Sequence, residues 1–217
     1  MIRAAVRGFG QLLITFGLVV LLFATYEVYG KALEANAEQT RLADGLNETW
    51  QAPQGPVKEV IRPVEGKGLA RLYIPRLNKR WVVVEGTSPA DIRLAPGHYP
   101  DSQLPGQVGN FAIAGHRMPS VFWDLDKVQS GDALIVETRS NWYVYTVTKN
   151  QIVLPTEISV VAANPGNPEA EATRKLITLT TCNPKWDNYE RMIVQGEITR
   201  EQSKAQGLPA ELAGMKG

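Results

Sequence analysis

The chain has 217 residues, with 23 Lys+Arg against 22 Asp+Glu, a hydrophobic fraction of 44% and a charged fraction of 21%. Such a balance belongs to a chain that folds, and a formal charge of +1 leaves no basic excess to neutralise phosphates, so nucleic acid is not an expected partner. One cysteine and two histidines, His98 and His116, exclude a disulfide framework, a cysteine-rich zinc site and any three-histidine metal centre.

Residues 1–7 carry Arg3 and Arg7, and residues 8–26 follow without a single charge. As a helix those apolar residues span about 28 Å, close to the hydrocarbon thickness of a bilayer. The stretch exceeds a signal peptide's apolar core of about 7–15 residues, and bulky Tyr26 makes a poor cleavage site. An uncleaved transmembrane anchor is expected, with a cytoplasmic N-terminus by the positive-inside rule and the remainder extracytoplasmic. Residues 27–67 read as a juxtamembrane helical stalk ending near Gly45, then a mobile Pro- and Gly-rich linker between Trp50 and Gly68.

Beyond Gly68 the texture turns to β. Strands are expected at Leu69–Ile74, Trp81–Val84, Asn110–Ala114, Ala133–Thr138, Trp142–Val147, Gln151–Leu154, Leu176–Thr181 and Met192–Ile198. Short helical pieces fit Pro89–Leu94 and Val121–Lys127, and Pro155–Thr173 reads as a long loop with one helical turn. Seven or eight strands without long intervening helices predict an all-β barrel or sandwich over residues 68–199, with a loosely ordered tail at 200–217.

Cys182 closes the strand T-L-T-T-C, before Asn183 and Pro184 break the ladder. Arg191 opens the next strand, so an antiparallel hairpin returns it toward Cys182. His116 also stands at a strand end, after A-I-A-G. A thiol, an imidazole and a guanidinium thus converge on one rim. Singly, each has an ordinary structural reading: a buried apolar thiol, a hydrogen-bonded histidine, a solvated arginine. No carboxylate cluster reads as a calcium site.

Together, G-H-Y-P (Gly97–Pro100), N-F-A-I-A-G-H-R (Asn110–Arg117), T-L-T-T-C (Thr178–Cys182) and R-M-I-V-Q-G (Arg191–Gly196) resemble the sortase family of membrane-anchored cysteine transpeptidases. The resemblance covers roughly Gly68–Thr199. It is nearest the class E group of actinobacteria, with class D as the nearest rival, and departs at Asn183, where class E strands commonly carry His. It implies a closed β-barrel of about eight strands behind an N-terminal transmembrane helix. It implies Cys182 as nucleophile, His116 as acid–base partner and Arg191 as the cation near the oxyanion, with Thr181 helping to bind substrate or oxyanion. Cleavage between Thr and Gly of a Leu-x-x-Thr-Gly-type motif is the implied reaction, with Ala at the second position in class E. The implied partners are secreted proteins with a C-terminal sorting signal, an amine of the peptidoglycan precursor lipid II, and the cell membrane. No metal or organic cofactor is implied.

Trp186 and Tyr189, in the loop after Cys182, offer apolar area for the motif's Leu, the alternative being packing under the loop. Tyr99 is a candidate donor to the motif backbone. His98 lies outside the A-G-H-R element and is assigned no catalytic role, and Arg117 and Asp124 read as salt-bridge residues. Two rivals share the fold. A pilin-polymerising sortase would carry a lid residue, which is absent from Trp50–Gly68, and a silent membrane-tethered binding domain would not need the intact trio. The His–Gly–Cys cluster of an L,D-transpeptidase is missing.

Overall fold

The computed structural model describes residues 2–26, 30–52 and 63–215. Two helices, α1 (Ile2–Thr25) and α2 (Lys31–Gln51), precede eight strands. These are β1 (Gly68–Ile74), β2 (Lys79–Glu85), β3 (Gly97–His98), β4 (Gly109–Ala114), β5 (Ala133–Glu137), β6 (Asn141–Val153), β7 (Lys175–Asn183) and β8 (Glu190–Ser203). They hydrogen-bond in the order β1-β2-β3-β4-β7-β8-β6-β5 and close into a barrel through β1 and β5. Closure leaves no long sheet edge to template aggregation. Alternating residues turn inward, as in β1, where Ala70, Leu72 and Ile74 are buried. They meet Phe111, Ile113, Ile177 and Leu179 from the parallel pair β4 and β7 in one core.

Three segments differ from the expectation. Trp142–Val147 and Gln151–Leu154 are one continuous strand, β6, with register shifts at Val144/Tyr145 and Val147/Lys149. The second bulge interrupts the apolar alternation and made one strand read as two. The two-residue β3 lies inside the G-H-Y-P string, where Gly97 is required because a Cβ there would stand 2.0 Å from the Gly86 carbonyl oxygen. The tail is ordered through residue 215: β8 continues to Ser203, single helical turns follow at Lys204–Gln206 and Ala210–Leu212, and Leu212 packs against Ile135, Trp142 and Val144. Arg200 pairs with Glu211 at 2.5 Å, so the tail folds back on the strand that precedes it.

α2 is likewise more than a stalk. It runs through Gly45 to Gln51 and docks on the barrel's outer face, burying Leu42 and Leu46 against Val82, Val84 and Ala95. β3 reaches only Val84 and Glu85 of β2, so the next polar groups along that edge need another partner. Gln39 supplies it: its amide accepts from the Val82 N–H at 2.7 Å and donates to the Val82 carbonyl at 3.5 Å. At the other end of α2, Arg71 donates to Asn47 at 2.6 Å and lies over the Trp50 ring at 4.8 Å. Buried Glu137 accepts from Arg71, Tyr73 and Lys204 at 3.2, 2.7 and 2.6 Å. Burial, then the neighbouring Glu137 carboxylate, pushes the Tyr73 phenol well above its ordinary value. Of the expected linker, residues 53–62 lie outside the described residues. α1 is long and apolar enough to cross a membrane.

Candidate active site

The register of three strands assembles the site. Ala112 and Ala114 of β4 lie beside Thr178 and Thr180 of parallel β7, so the last paired residues of the two strands stand two residues before His116 and Cys182 respectively. On the other flank Cys182 faces Arg191 across the antiparallel β7–β8 pair. The ladder carries past β4, since the Gly115 N–H donates to the Thr180 carbonyl at 3.0 Å. A Cβ at Gly115 would stand 2.5 Å from the Phe122 ring, so glycine lets the chain turn tightly over the core before His116.

His116 is exposed, while Cys182 and Arg191 are half-buried. Among the described residues, no hydrogen bond reaches the His116 ring or the Cys182 thiol. Arg191 spends Nη1 on the carbonyls of Asn188 at 2.6 Å and Glu190 at 2.8 Å. The rest of its fork is uncommitted, and a guanidinium presents two or more parallel donors to one oxyanion. A thiol and a guanidinium thus face each other across β7 and β8, on the rim toward which β4 leads His116.

Strand alternation sets the groove floor. Ile177 and Leu179 face the core, so Thr178, Thr180 and Cys182 share the outer face. Thr178 donates to the Asn110 side-chain carbonyl at 2.9 Å, and the Asn110 amide donates to the Val160 and Ala162 carbonyls at 3.3 and 3.0 Å. That network ties the loop before β7 along the floor, with its single helical turn at Ile158–Val161. Tyr99 closes the opposite side, its hydroxyl 3.2 Å from Thr180 Oγ1. Thr181 falls on the other face from Cys182; it is 3% exposed, and its Oγ1 has no hydrogen-bond partner. Trp186 is 88% exposed and Tyr189 59% exposed, so neither packs under the loop. Trp186 instead meets the Trp123 ring edge-on at 4.9 Å.

His98 is committed to structure. It is 1% exposed, with Nδ1 2.7 Å from Glu85 and Nε2 2.9 Å from Ser102 Oγ, whose hydroxyl donates to the Tyr99 carbonyl at 2.8 Å. Asp124 pairs with Lys127 at 3.1 Å and Lys185 at 3.5 Å. The hydrogen bond from Lys127 holds its carboxyl below the ordinary aspartate value. Arg117 pairs with Asp126 at 2.9 Å, as a salt-bridge reading requires, but it also donates to the Cys182 carbonyl at 3.3 Å. This second contact was missed; its only sequence signal is an arginine directly after His116. It fixes the Cys182 backbone to the segment that carries the His116 imidazole.

A sortase domain family matches residues 72–199. Sortase SrtE1 of Streptomyces coelicolor is 32% identical over 219 residues, covering 96% of this chain; the match spans 61% of that protein's length, less than two thirds. Sortase D of Bacillus subtilis is 30% identical over 155 residues, covering 71% of this chain and 73% of that protein. The structure of sortase E1 from Streptomyces coelicolor with tripeptide in the active site aligns with a TM-score of 0.64 at 31% identity, over 70% of this chain and 99% of that one. SrtF sortase from Corynebacterium diphtheriae aligns with a TM-score of 0.68 at 33% identity, over 76% and 100%. In sequence, the SrtE1 match covers more of this chain than the sortase D match. With its closed eight-stranded barrel and its matched domain, the chain belongs to the sortase family.

Proposed function

We propose that this chain is a single-pass, extracytoplasmic cysteine transpeptidase, anchored by residues 8–26 with residues 1–7 in the cytoplasm and residues 68–199 as the catalytic unit. The observation that carries the reading is the pairing of Cys182 with Arg191 across β7 and β8, with β4 running parallel beside β7 toward His116. The Cys182 thiolate attacks the Thr carbonyl carbon of a Leu-x-x-Thr-Gly-type motif. A C–S bond forms, the Thr–Gly C–N bond breaks, and His116 delivers its proton to the departing glycine amine. Arg191 carries the negative charge of the tetrahedral oxygen. An amine of a peptidoglycan precursor then attacks the thioester carbonyl and gives up one proton to His116; a new C–N bond forms and the C–S bond breaks, releasing Cys182 as the thiolate.

In this reading Trp186 and Tyr189 supply apolar area to the motif's Leu, and Tyr99 donates to the motif backbone where Ala stands at the second position. Thr181, expected to help bind substrate or oxyanion, is buried on the opposite face of β7 from Cys182, so its hydroxyl is left out of the substrate contacts. The tripeptide in the active site of the related sortase E1 supports a peptide substrate. The test incubates the full chain in detergent with Leu-Ala-x-Thr-Gly and Leu-Pro-x-Thr-Gly peptides, with and without a free amine. A Cys182-linked acyl intermediate and an amine-dependent transfer product are expected; cleavage that survives Cys182→Ala would overturn the assignment.

A further inference from the structure

We infer that α2 holds the barrel with its Cys182 end turned toward the bilayer, so that the partner facing this rim is an anionic membrane surface. The inference rests on α1 spanning the membrane, and the docking of α2 then decides the orientation. Residues 26–30 separate the two helices, and five residues reach at most about 18 Å. The start of α2 is therefore held close to the bilayer. Its 21 residues extend about 31 Å from that point, so its two ends mark near and far.

The near half of α2 lies against the catalytic rim. Asn36, Gln39 and Thr40 share a cavity of about 560 Å³ with Lys79, Arg80, Pro119 and Ser120, and Glu34 pairs with Arg93 at 2.7 Å. Pro119 and Ser120 belong to the same turn as His116, and neighbouring Arg117 bonds the Cys182 carbonyl. The far half of α2 lies against the opposite end. Leu46, Thr49 and Trp50 share a cavity of about 530 Å³ with Leu104–Gln107, the segment that leads into β4. β4 runs from that segment to His116, so it and α2 point in opposite directions, and the end of β4 meets the start of α2. An anchored chain with this packing presents Cys182 to the membrane and Leu104–Gln107 to the outside.

Charge agrees with this orientation. Lys79 and Arg80 are exposed at the start of β2, and neither has an ion-pair partner among the described residues. Arg93, Lys127 and Lys185 are already paired with Glu34, Asp124 and Asp126. Asp187 in the β7–β8 loop and Glu190 at the start of β8, which have no cationic partner among the described residues, are separated from β2 by β3, β4 and β7 in the barrel order. The side of the rim that α2 flanks is thus the basic one, suited to anionic headgroups. Substrates that are themselves held in the bilayer would then meet the thiol at the membrane plane.

The single cysteine makes the test direct. The full chain is labelled at Cys182 with a short environment-sensitive fluorophore; a second protein, Cys182→Ala with Leu208→Cys, is labelled beyond the far end of β8. Both are inserted into phosphatidylglycerol/phosphatidylcholine vesicles containing a headgroup nitroxide. At least twofold stronger quenching at Cys182 is expected, and equal or reversed quenching overturns the orientation. Leu42→Glu with Leu46→Glu should remove the difference; its persistence would overturn the role of α2. Lys79→Gln with Arg80→Gln should reduce the excess quenching in anionic vesicles, and no change would overturn the headgroup contact. Failure of the labelled chain to float with vesicles would overturn the anchor reading and this inference with it, whereas flotation with equal quenching rejects the inference alone.

Discussion

Glu137 and Cys182 mark opposite ends of the barrel, where polar groups are treated differently. Around Glu137 three donors converge on one buried carboxylate, and two cations lie over Trp50. Around Cys182 the thiol and the exposed imidazole have no hydrogen-bond partner among the described residues, and most of the guanidinium fork is uncommitted. A saturated cluster stabilises the fold, and leaving any member unpaired in a buried site is costly. Groups that are held in place but left without partners remain able to bond a substrate. The two histidines repeat the contrast, since His98 is enclosed by Glu85, Ser102 and Phe111 and His116 is open.

The sharpest break in that comparison comes from the thiol. Cys182→Ala should abolish both cleavage and transfer in a peptide assay, and Cys182→Ser should come close, because an alkoxide is far harder to generate than a thiolate. Neither change should lower the melting temperature by more than about 2 °C, since no interaction that stabilises the fold is removed. Arg191→Lys should follow, with kcat down by about 100-fold, because a point charge does not replace the planar fork. Near wild-type turnover in Arg191→Lys would remove the oxyanion role.

The far end should respond the other way. Glu137→Ala leaves Arg71 and Lys204 without their shared carboxylate and should cost about 3 kcal/mol. That corresponds to a fall of roughly 10 °C in Tm, while kcat at low temperature stays near wild type. A loss of kcat without a loss of Tm would dissolve the division between the two ends.

How much of this is legible in sequence follows the range of the interaction. Cys182 and Arg191 form the second pair from the turn of a simple hairpin, so alternation and a chain break are enough to place them opposite one another. His116 needs the long-range parallel pairing of β4 with β7, which the A-G-H-R string marks only through resemblance. β3 is two residues long, too short for any period to register. Gln39 looks like an ordinary solvent-facing helix residue until β2 is found with a vacant edge beside it. Leu212 looks like part of a loose tail until Trp142 and Ile135 supply its contact. The candidate rim is readable because its residues stand at or just beyond strand ends. The docking of α2 and of the tail is not, because each depends on a surface that exists only after the barrel closes.

A smaller effect is expected at the edge of the groove. Tyr99→Phe removes the hydroxyl that meets Thr180 at 3.2 Å, worth about 1 kcal/mol. The preference for Ala over Pro at the second motif position should therefore narrow by about fivefold, read as the ratio of kcat/KM for the two peptides. An unchanged ratio would take Tyr99 out of the substrate contacts while leaving its place in the fold intact.

The smallest effect tests whether a charge pair at the rim behaves unlike the buried one at the far end. Asp124 is open to solvent and its carboxyl is held below the ordinary value, mainly by the hydrogen bond from Lys127 and then by the charges of Lys127 and Lys185. In the unfolded chain it titrates at about 3.9. The contribution of the ionised pair is therefore fully present above that value and is lost as pH falls through the lower folded one. Asp124→Asn should melt slightly below wild type at pH 7, and the gap should close as pH falls through the lowered folded value. It should also shrink in 1 M salt, where the screening length drops to about 3 Å. The gap caused by Glu137→Ala should persist in the same salt, because that carboxylate is enclosed. A salt-insensitive gap at Asp124 would mean that Lys185 and Lys127 order the loop beside Cys182 through geometry rather than through charge.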